Sequence, residues 1–243
     1  MGDMGRVKVG CCGFCRGIKR YFSQFRLVEV QQTFYKLPRV ETVVYWRQAA
    51  PPGFEFTIKA WQLITHPPSS PTYRKSGLVI PQEKGGSYGY FRPSDEVMEA
   101  WHRTKEIARA VNATIIVFQC PASFTDSAEN VNNMRNFFQS LSRDGLLFVW
   151  EPRGRWNDHT IFDLCQELGL IHCVDPLQRA PLSGVVNYFR LHGGPGYRHS
   201  YSDEELEYLR QMVSGKESYV LFNNITMYED ALRFINLLSG EVG

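Results

Sequence analysis

The segment that decides the fold is Phe54-Glu55-Phe56-Thr57-Ile58-Lys59-Ala60-Trp61. Every second residue of this segment from Phe54 to Ala60 is apolar, and polar residues such as Glu55 and Lys59 alternate with them. Alternation with a period of two predicts a β-strand whose two faces meet different surroundings. We expect the apolar face to pack outward on helices and the other face, with Lys59, to point into a barrel.

Seven more short apolar runs end in polar residues in the same way, and a helix-patterned stretch follows each of them. This alternation predicts an α/β fold, a single-domain (β/α)8 TIM-type barrel over residues 1–243, with its chemistry at the carboxyl ends of the strands. A length of 243 residues fits one such domain, since these barrels run to about 250 residues. The eight run ends are Cys11-Cys12-Gly13, Glu29-Val30-Gln31-Gln32-Thr33, Lys59-Ala60-Trp61, Gln119-Cys120-Pro121, Glu151-Pro152-Arg153, Val174-Asp175, Arg190-Leu191-His192-Gly193 and Asn223-Asn224.

The connection after strand three, residues 62–94, is much longer than usual. Connections above roughly 15 residues are commonly functional, so this one is predicted to be a loop or lid within the barrel domain. Basic residues such as Arg74 alternate in it with aromatic residues such as Tyr73. This pattern is typical of surfaces that bind single-stranded nucleic acid, where bases stack and phosphates need cations. The alternative is that the aromatic side chains pack on the rim of the barrel.

A second connection, residues 192–199, follows strand seven and holds three glycines and Arg198. Barrels often bind phosphate with the loops after strands seven and eight. The segment therefore indicates either a phosphate site or a plain glycine-rich turn.

Composition limits the class of protein. Hydrophobic residues make up 43% and charged residues 21%, as in ordinary globular proteins. A net charge of +2 is too small to argue for nucleic acid by itself. No apolar run approaches the roughly 20 residues that span a bilayer, and Met1–Arg6 has no signal-peptide pattern. We therefore expect a cytoplasmic protein with no membrane partner.

Three of the six cysteines form a C-C-x-x-C cluster, Cys11, Cys12 and Cys15. Only three ligands are local, whereas a tetrahedral metal site or an iron–sulfur cluster needs a fourth. The sequence argues for reduced, buried thiols and against an iron–sulfur cluster at Cys11, Cys12 and Cys15.

Polar residues of several strand ends are predicted to converge at one end of the barrel. Lys59 needs a carboxylate or an anionic ligand there, because an unpaired buried charge costs several kcal/mol. For each residue, a purely structural ion pair is the alternative. The predicted catalytic residues are Glu29, Lys59, Glu151 and His192. The predicted substrate-binding residues are Gln31, Tyr35, Trp61, His66, Tyr73, Arg74, Gln119, Arg153, Trp156, Arg190, Asn223 and Asn224.

Three functions are open. The first is a nuclease-like hydrolase of phosphodiesters, with single-stranded nucleic acid as its substrate. Its divalent metal, Mg²⁺, Mn²⁺ or Zn²⁺, would be held by Glu29, Glu151, Asp175 and His192. The second is a metal-free sugar or sugar-phosphate enzyme that uses Glu29 and Glu151 as an acid/base pair. Its Schiff-base variant on Lys59 fails if Lys59 is paired with either glutamate. The third is a non-catalytic module that binds an anionic small molecule.

Six motifs follow one another along the chain: Glu29–Pro38, Phe56–Ala60 with Ile64-Thr65-His66, Gln119-Cys120-Pro121, Glu151-Pro152-Arg153 with Trp156, Phe189–Gly193 and Phe222-Asn223-Asn224. In this order they resemble the YecE-like proteins, the family catalogued as domain of unknown function 72. The resemblance covers nearly the whole chain and implies a (β/α)8 barrel with a pocket at the strand ends. It implies no particular activity. The segment 13–17 departs from the Gly-Trp-type segment of the family, which marks the cysteine cluster as a local variation.

Overall fold

A computed structural model describes residues 6–240, which contain a closed barrel of eight parallel strands in sequence order. The barrel closes where the first strand pairs with the last, with Val7 opposite Ser218 and Cys11 opposite Phe222. The predicted (β/α)8 barrel is therefore confirmed. The expectations that rest on Met1–Gly5 lie outside the described residues. The strands are β1 (Val7–Cys12), β2 (Leu27–Val30), β3 (Glu55–Lys59), β4 (Ala113–Gln119), β5 (Leu147–Glu151), β6 (Ile171–Val174), β7 (Asn187–Leu191) and β8 (Ser218–Phe222).

The two faces of each strand belong to two separate apolar layers. Phe148 and Phe189 join the large outer layer between strands and helices, whereas Val149 and Tyr188 join a smaller cluster inside the barrel. In β3 the inward Thr57 hydroxyl lies 2.8 Å from the Tyr188 hydroxyl across the barrel. The period-two alternation of the sequence thus separates the faces as predicted.

Ten helices surround the barrel within residues 6–240, and most begin or end at a recognisable signal. Ser202 and Glu205 form a capping box at the start of one helix, and Gly169 ends another in the left-handed conformation. Between β6 and β7 the described residues form turns rather than a helix. The helices are α1 (Ile18–Gln24), α2 (Gln32–Tyr35), α3 (Val40–Ala49), α4 (Gln62–Thr65), α5 (Thr72–Ser76), α6 (Asp95–Val111), α7 (Ala128–Ser140), α8 (Asp158–Leu168), α9 (Asp203–Met212) and α10 (Met227–Ser239).

Strand two ends earlier than the pattern predicts, at Val30 rather than Thr33. The Thr33 hydroxyl lies 2.9 Å from the carbonyl oxygen of Val30 and 2.7 Å from that of Lys59. A threonine side chain that bonds backbone groups in this way competes with the strand ladder. The chain therefore turns into α2, which brings Phe34 and Tyr35 to the mouth of the barrel.

The long connection 62–94 is largely ordered, with α4, α5 and a 3₁₀ turn at Gln82–Ser87. Its return segment, Gly89–Phe91, is left-handed at all three residues. The three backbone N–H groups of this segment donate to the last carbonyl groups of α4, at Leu63, Ile64 and Thr65. A Cβ at Gly89 would lie 2.4 Å from the carbonyl carbon of His66, so only glycine fits. Backbone hydrogen bonds therefore hold the two ends of this connection together at the mouth of the barrel.

None of the helices in the described part of the chain has the length and apolar character needed to cross a membrane.

Candidate functional site

Arg190 of β7 lies at the centre of the polar end of the barrel and is 1% exposed. Its guanidinium bonds Glu29 at 2.9 Å, contacts Glu151 directly, and lies 3.2 Å from the side-chain oxygen of Gln119. Burial alone would raise the pKa of Glu151, but the Arg190 and Arg153 guanidiniums outweigh burial and hold that pKa well below its usual range. Glu151 is thus charged, and both predicted catalytic carboxylates contact the same arginine.

Glu29 has no oxygen left for a ligand. Its Oε2 accepts a hydrogen bond from the Tyr188 hydroxyl at 2.9 Å, and its Oε1 accepts from Gln31 and faces the Cys12 thiol at 3.5 Å. With Arg190 on the same carboxylate, Glu29 is fully buried and fully partnered. Its contacts are those of a structural partner of Arg190.

Glu151, Arg153, His192 and Asn223 form a second chain of contacts nearer to solvent. The Arg153 Nε donates to Glu151 at 2.8 Å, and the His192 Nε2 lies 3.0 Å from the same Glu151 oxygen. The other ring nitrogen of His192 lies 3.1 Å from the Asn223 amide nitrogen. Burial lowers the pKa of His192, and the neighbouring arginines add to this effect against the attraction of Glu151. His192 is therefore a neutral imidazole at pH 7 with polar neighbours at both nitrogens.

Lys59 does not find the carboxylate that its position demands. Within residues 6–240 its amine makes one hydrogen bond, to the Gln119 side-chain oxygen at 2.8 Å, and no ion pair. The amine also lies 4.0 Å from the centre of the Phe34 ring, a cation–π contact. Burial, followed by repulsion from Arg190, lowers the pKa of Lys59 to about 8. Of the two partners predicted for this lysine, an anionic ligand is the one that remains.

A pocket of about 550 Å³ opens above these residues, and Lys59 lies on its floor. Lys59 is 4% exposed, whereas Lys75 of α5 is exposed at the rim. Among the described residues no acidic side chain lines this pocket. The lining residues are Gln31, Phe34, Tyr35, Lys59, Thr72, Lys75, Gln119, Arg190, Gly196, Tyr197, Asn223, Asn224, Ile225 and Met227.

The sequence prediction missed several of these lining residues, and two of them carry polar groups from α5. Thr72 and Lys75 are three residues apart, so they share one face of this short helix. The prediction chose Tyr73 and Arg74 from the same segment instead. Tyr73 is buried and its hydroxyl donates to the His66 carbonyl at 2.9 Å, and Arg74 is exposed outside the pocket lining. The three-residue spacing of Thr72 and Lys75 could have identified them as a pair on one helix face. The prediction treated this segment as a loop, so helical spacing was not applied to it.

The two predicted tryptophans also lie outside the pocket lining. Trp61 packs on the outer side of the barrel, with the Arg103 guanidinium of α6 at 5.2 Å from its ring. The Trp156 indole N–H donates to the Phe124 carbonyl at 2.7 Å, and its ring contacts Trp150. Trp61 follows the end of β3, so the alternation that placed it inward no longer applies to it.

His66 lies outside the pocket lining and Asn224 belongs to it, and the side chains of both bond neighbouring groups of the scaffold. The His66 ring is 3% exposed and lies 2.8 Å from the Thr65 hydroxyl, and burial lowers its pKa to about 3. The Asn224 amide donates to Asp230 at 2.6 Å and to Thr226 at 2.9 Å. Of the residues predicted to bind substrate, those that line the pocket are Gln31, Tyr35, Gln119, Arg190, Asn223 and Asn224. Arg153 is held beside it through Glu151.

The aromatic side chains of segment 62–94 are mostly used in packing. Phe91 is fully buried against Phe124 and Phe137, and Tyr90 stacks on Phe124 at 5.4 Å. Rings with occupied faces do not offer a stacking platform for bases. The geometry thus favours the alternative in which these side chains pack on the rim.

The predicted metal ligands do not form a metal site in this arrangement. Across residues 6–240 no group of three or more His, Cys, Asp and Glu side chains is placed to hold a metal ion. Asp175 accepts hydrogen bonds from the backbone N–H groups of Leu177 and His192 at 3.2 Å, so it shapes the loop after β6. A divalent ion between Glu29 and Glu151 would also meet the buried Arg190 charge. The residues present in this arrangement therefore do not fit a divalent metal ion.

The cysteine cluster does not converge on one point. Cys11 and Cys12 are neighbours in β1, so their side chains lie on opposite faces. The Cys11 thiol lies 3.3 Å from the Met227 carbonyl in the outer layer, whereas Cys12 faces Glu29 inside the barrel. Burial raises the pKa of both thiols, so both are protonated.

Residues 15–243 match the family described as Protein of unknown function DUF72. A DUF72 family protein from Enterococcus faecalis V583 is 20% identical, with a TM-score of 0.68, and the match covers 96% of this chain and 97% of the other. One from Thermotoga maritima MSB8 is 22% identical, with a TM-score of 0.68 and coverage of 96% and 99%. Endonuclease IV from Thermus thermophilus is similar at 14% identity, with a TM-score of 0.56 and coverage of 98% and 100%. Among curated proteins, none matches. At these identities the likeness to solved structures shows the fold.

Proposed function

We propose that this chain, which belongs to the DUF72 family, binds a phosphate-bearing anion in the pocket at the mouth of its barrel. One observation carries the proposal. The amine of Lys59 lies buried on the pocket floor with no carboxylate partner in residues 6–240, and no acidic side chain of those residues lines the pocket above it.

The charges of the site leave a place for an anion. The two carboxylates of the network, Glu29 and Glu151, are matched against Arg190 and Arg153. Lys59 is then the cation left over within the described site, and Lys75 adds another at the rim. A buried cation without a partner costs several kcal/mol, so an anion that reaches Lys59 gains a strong, poorly screened interaction. Phosphate suits this position because it offers several oxygens to both amines and to the Gln119 and Asn223 side chains.

Hydrolysis of a phosphodiester is a second candidate function, and the contact between His192 and Glu151 favours it. A neutral imidazole beside a carboxylate is able to accept a proton from water and to carry the resulting charge. The ring of Tyr197, which lines the pocket, lies 5.9 Å from the His192 ring. For this role the Asn223 amide would have to release the second ring nitrogen to a water molecule. The likeness to an endonuclease supports the fold of such an enzyme and is consistent with this candidate.

The test of anion binding is titration calorimetry with inorganic phosphate and with dimethyl phosphate. Lys59→Met removes the buried charge at similar volume, and Lys75→Met removes the rim charge. We expect Lys59→Met to weaken phosphate binding by tenfold or more, which corresponds to about 1.4 kcal/mol. Lys19→Met, an exposed change in α1, is the matched control and leaves binding unchanged. Equal affinity in Lys59→Met and the control would overturn the proposal.

Hydrolysis is tested separately, with release of nitrophenolate from bis(4-nitrophenyl) phosphate. If the second candidate holds, His192→Ala removes turnover and leaves the affinity for phosphate within a factor of about three of the parent protein. Phosphate binding without any turnover would leave the first proposal standing and reject the second.

A further inference from the structure

The barrel contains two inward lysines at its opposite ends, and their surroundings differ in kind. At the amino-terminal end, the Lys8 amine bonds Glu55 at 2.6 Å, Glu217 at 2.8 Å and the Tyr219 hydroxyl at 2.9 Å. Burial lowers the pKa of Lys8, but the hydrogen bonds to Glu217 and Glu55 outweigh it and leave this pKa above the ordinary value. Lys8 is thus a structural cation, paired as buried charges normally are.

Lys59 lies at the other end of the same barrel, and within residues 6–240 its amine forms no ion pair with a carboxylate. Two glutamates, Glu29 and Glu151, are within its electrostatic reach, yet both are bonded to Arg190. The only hydrogen bond that the Lys59 amine makes within residues 6–240 is the one to the neutral Gln119 side chain. An arginine that occupies both carboxylates keeps the lysine beside them from forming a salt bridge.

A lysine in this condition is a nucleophile as well as a cation. With its pKa lowered to about 8, more of Lys59 is the neutral amine at pH 7 than is the case for a solvated lysine. An amine whose pKa is lowered by burial and by a neighbouring cation is the form that attacks carbonyl carbon in enzymes. The titratable groups that influence the pKa of Lys59 are Arg190, Glu29, Glu151 and Cys12, which lie on other strands of the barrel. His66, which follows α4, also interacts with Lys59 electrostatically.

We infer that Lys59 is a carbonyl-reactive lysine, which forms an imine with the aldehyde or ketone carbon of a phosphorylated ligand. The phosphate part of this ligand rests on the function proposed above, and the amine chemistry rests on the surroundings of Lys59 alone. The Nζ–C bond forms as the C=O bond breaks, and the carbonyl oxygen leaves as water with the two protons of the neutral amine. No oxidant, reductant or further reactant is needed for this step.

The shape of the pocket fits a small phosphorylated carbonyl compound. Lys59 lies on the floor and Lys75 is exposed at the rim, so a ligand can present its carbonyl carbon to one amine and its phosphate to the other. Tyr35, Gln31 and Asn223 add polar side chains to the pocket lining, and the Gln31 and Asn223 amide nitrogens already contact Glu29 and His192. The Phe34 ring beneath the amine limits water around it. The pocket of about 550 Å³ is large enough for such a ligand.

The first test is reductive trapping of the full-length protein with glyceraldehyde 3-phosphate and sodium cyanoborohydride at pH 7, followed by mass spectrometry of the peptides. We expect one adduct, a secondary amine on Lys59, formed at least tenfold faster than adducts on Lys8 and Lys19. The single adduct should be lost in Lys59→Met and in Lys59→Arg, and kept in Lys19→Met. Labelling spread over exposed lysines, with the same yield in Lys59→Met, would overturn the inference.

A second measurement uses the unaltered protein and does not depend on a variant that folds. Competitive acetylation with trace acetic anhydride between pH 6 and 10 gives the titration midpoint of each lysine. A titration midpoint near 8 at Lys59, with Lys8 unreactive, supports the assignment of Lys59 as a nucleophile, whereas a midpoint at Lys59 above 10 refutes it.

The two proposals fail in different ways in these experiments. Glyceraldehyde without phosphate should trap on Lys59 more slowly than glyceraldehyde 3-phosphate, and Lys75→Met should remove this difference. Trapping on Lys59 that is equal for both aldehydes would keep the reactive amine and reject the phosphate site. Phosphate binding in calorimetry without trapping would keep the phosphate site and reject the reactive amine.

Discussion

The most informative single substitution is Arg190→Met, because Arg190 holds the site together and sets the state of Lys59. The side chain is 1% exposed and forms ion pairs with both Glu29 and Glu151. After its removal, Glu151 keeps the Arg153 contact at 2.8 Å, but Glu29 keeps only neutral partners such as the Tyr188 hydroxyl. One uncompensated buried carboxylate therefore remains. Breaking a buried pair in this way costs about 3–5 kcal/mol, and this is the expected loss in the free energy of unfolding.

The assay is urea unfolding followed by circular dichroism at pH 7.5. The double variant Arg190→Met/Glu29→Gln, which also removes the orphaned charge, should recover more than half of the loss. Arg210→Met is the matched control, because it breaks an exposed ion pair with Glu207 at 2.6 Å and should lower stability far less. A loss below about 1 kcal/mol for Arg190→Met, or a further loss on adding Glu29→Gln, would refute the reasoning.

The same variant tests the account of Lys59. Without Arg190 the lysine loses a repulsive neighbour, and Glu29 is left as an unpaired carboxylate nearby, so the pKa of Lys59 should rise. Competitive acetylation should then show a higher midpoint and less labelling at pH 7. An unchanged midpoint near 8 in folded Arg190→Met would mean that Arg190 does not control the lysine.

Two further predictions concern the scaffold around the site. Burial lowers the pKa of His66 to about 3 and that of His172 to about 4, below the roughly 6.5 of an unfolded chain. Below pH 6.5 the unfolded chain therefore takes up protons that the folded chain does not, and the free energy of unfolding should fall by about 2 kcal/mol per histidine at pH 5. Calorimetric melting between pH 7.5 and 5 measures this, and His66→Gln should flatten the slope; an unchanged slope would contradict the assignment. Gly89→Ala should lower stability by about 2 kcal/mol or more, because its φ is +78° and its Cβ would meet the His66 carbonyl. Gly85→Ala, whose Cβ would meet no atom within 4 Å, is the control, and equal melting temperatures would show that the left-handed turn is not required.

The sequence alone determined the barrel and the end at which it carries its polar groups. The evidence was local, since period-two alternation in β3, β5 and β7 decides which side chains face inward, and turn or cap residues such as Gly169 end the helices. It also placed Glu29, Lys59, Glu151 and Arg190 on the inward face, because that requires only the parity of each strand. The alternation applies only within a strand. Thr33 and Trp61 were therefore wrongly predicted to point into the barrel, because β2 ends at Val30 and β3 ends at Lys59.

Only the tertiary structure decided which charge meets which. Glu29, Lys59, Glu151 and Arg190 come from four different strands, and a chain read residue by residue does not state their distances. The sequence therefore left Lys59 paired with a glutamate or with a ligand. In the folded barrel Arg190 takes both glutamates, because its forked guanidinium reaches two carboxylates at once, whereas the single amine of Lys59 is left with Gln119. Distances across the barrel therefore decide that Arg190, and not Lys59, pairs with the two glutamates. The Lys59 amine is left as the cation that an anionic ligand could bind.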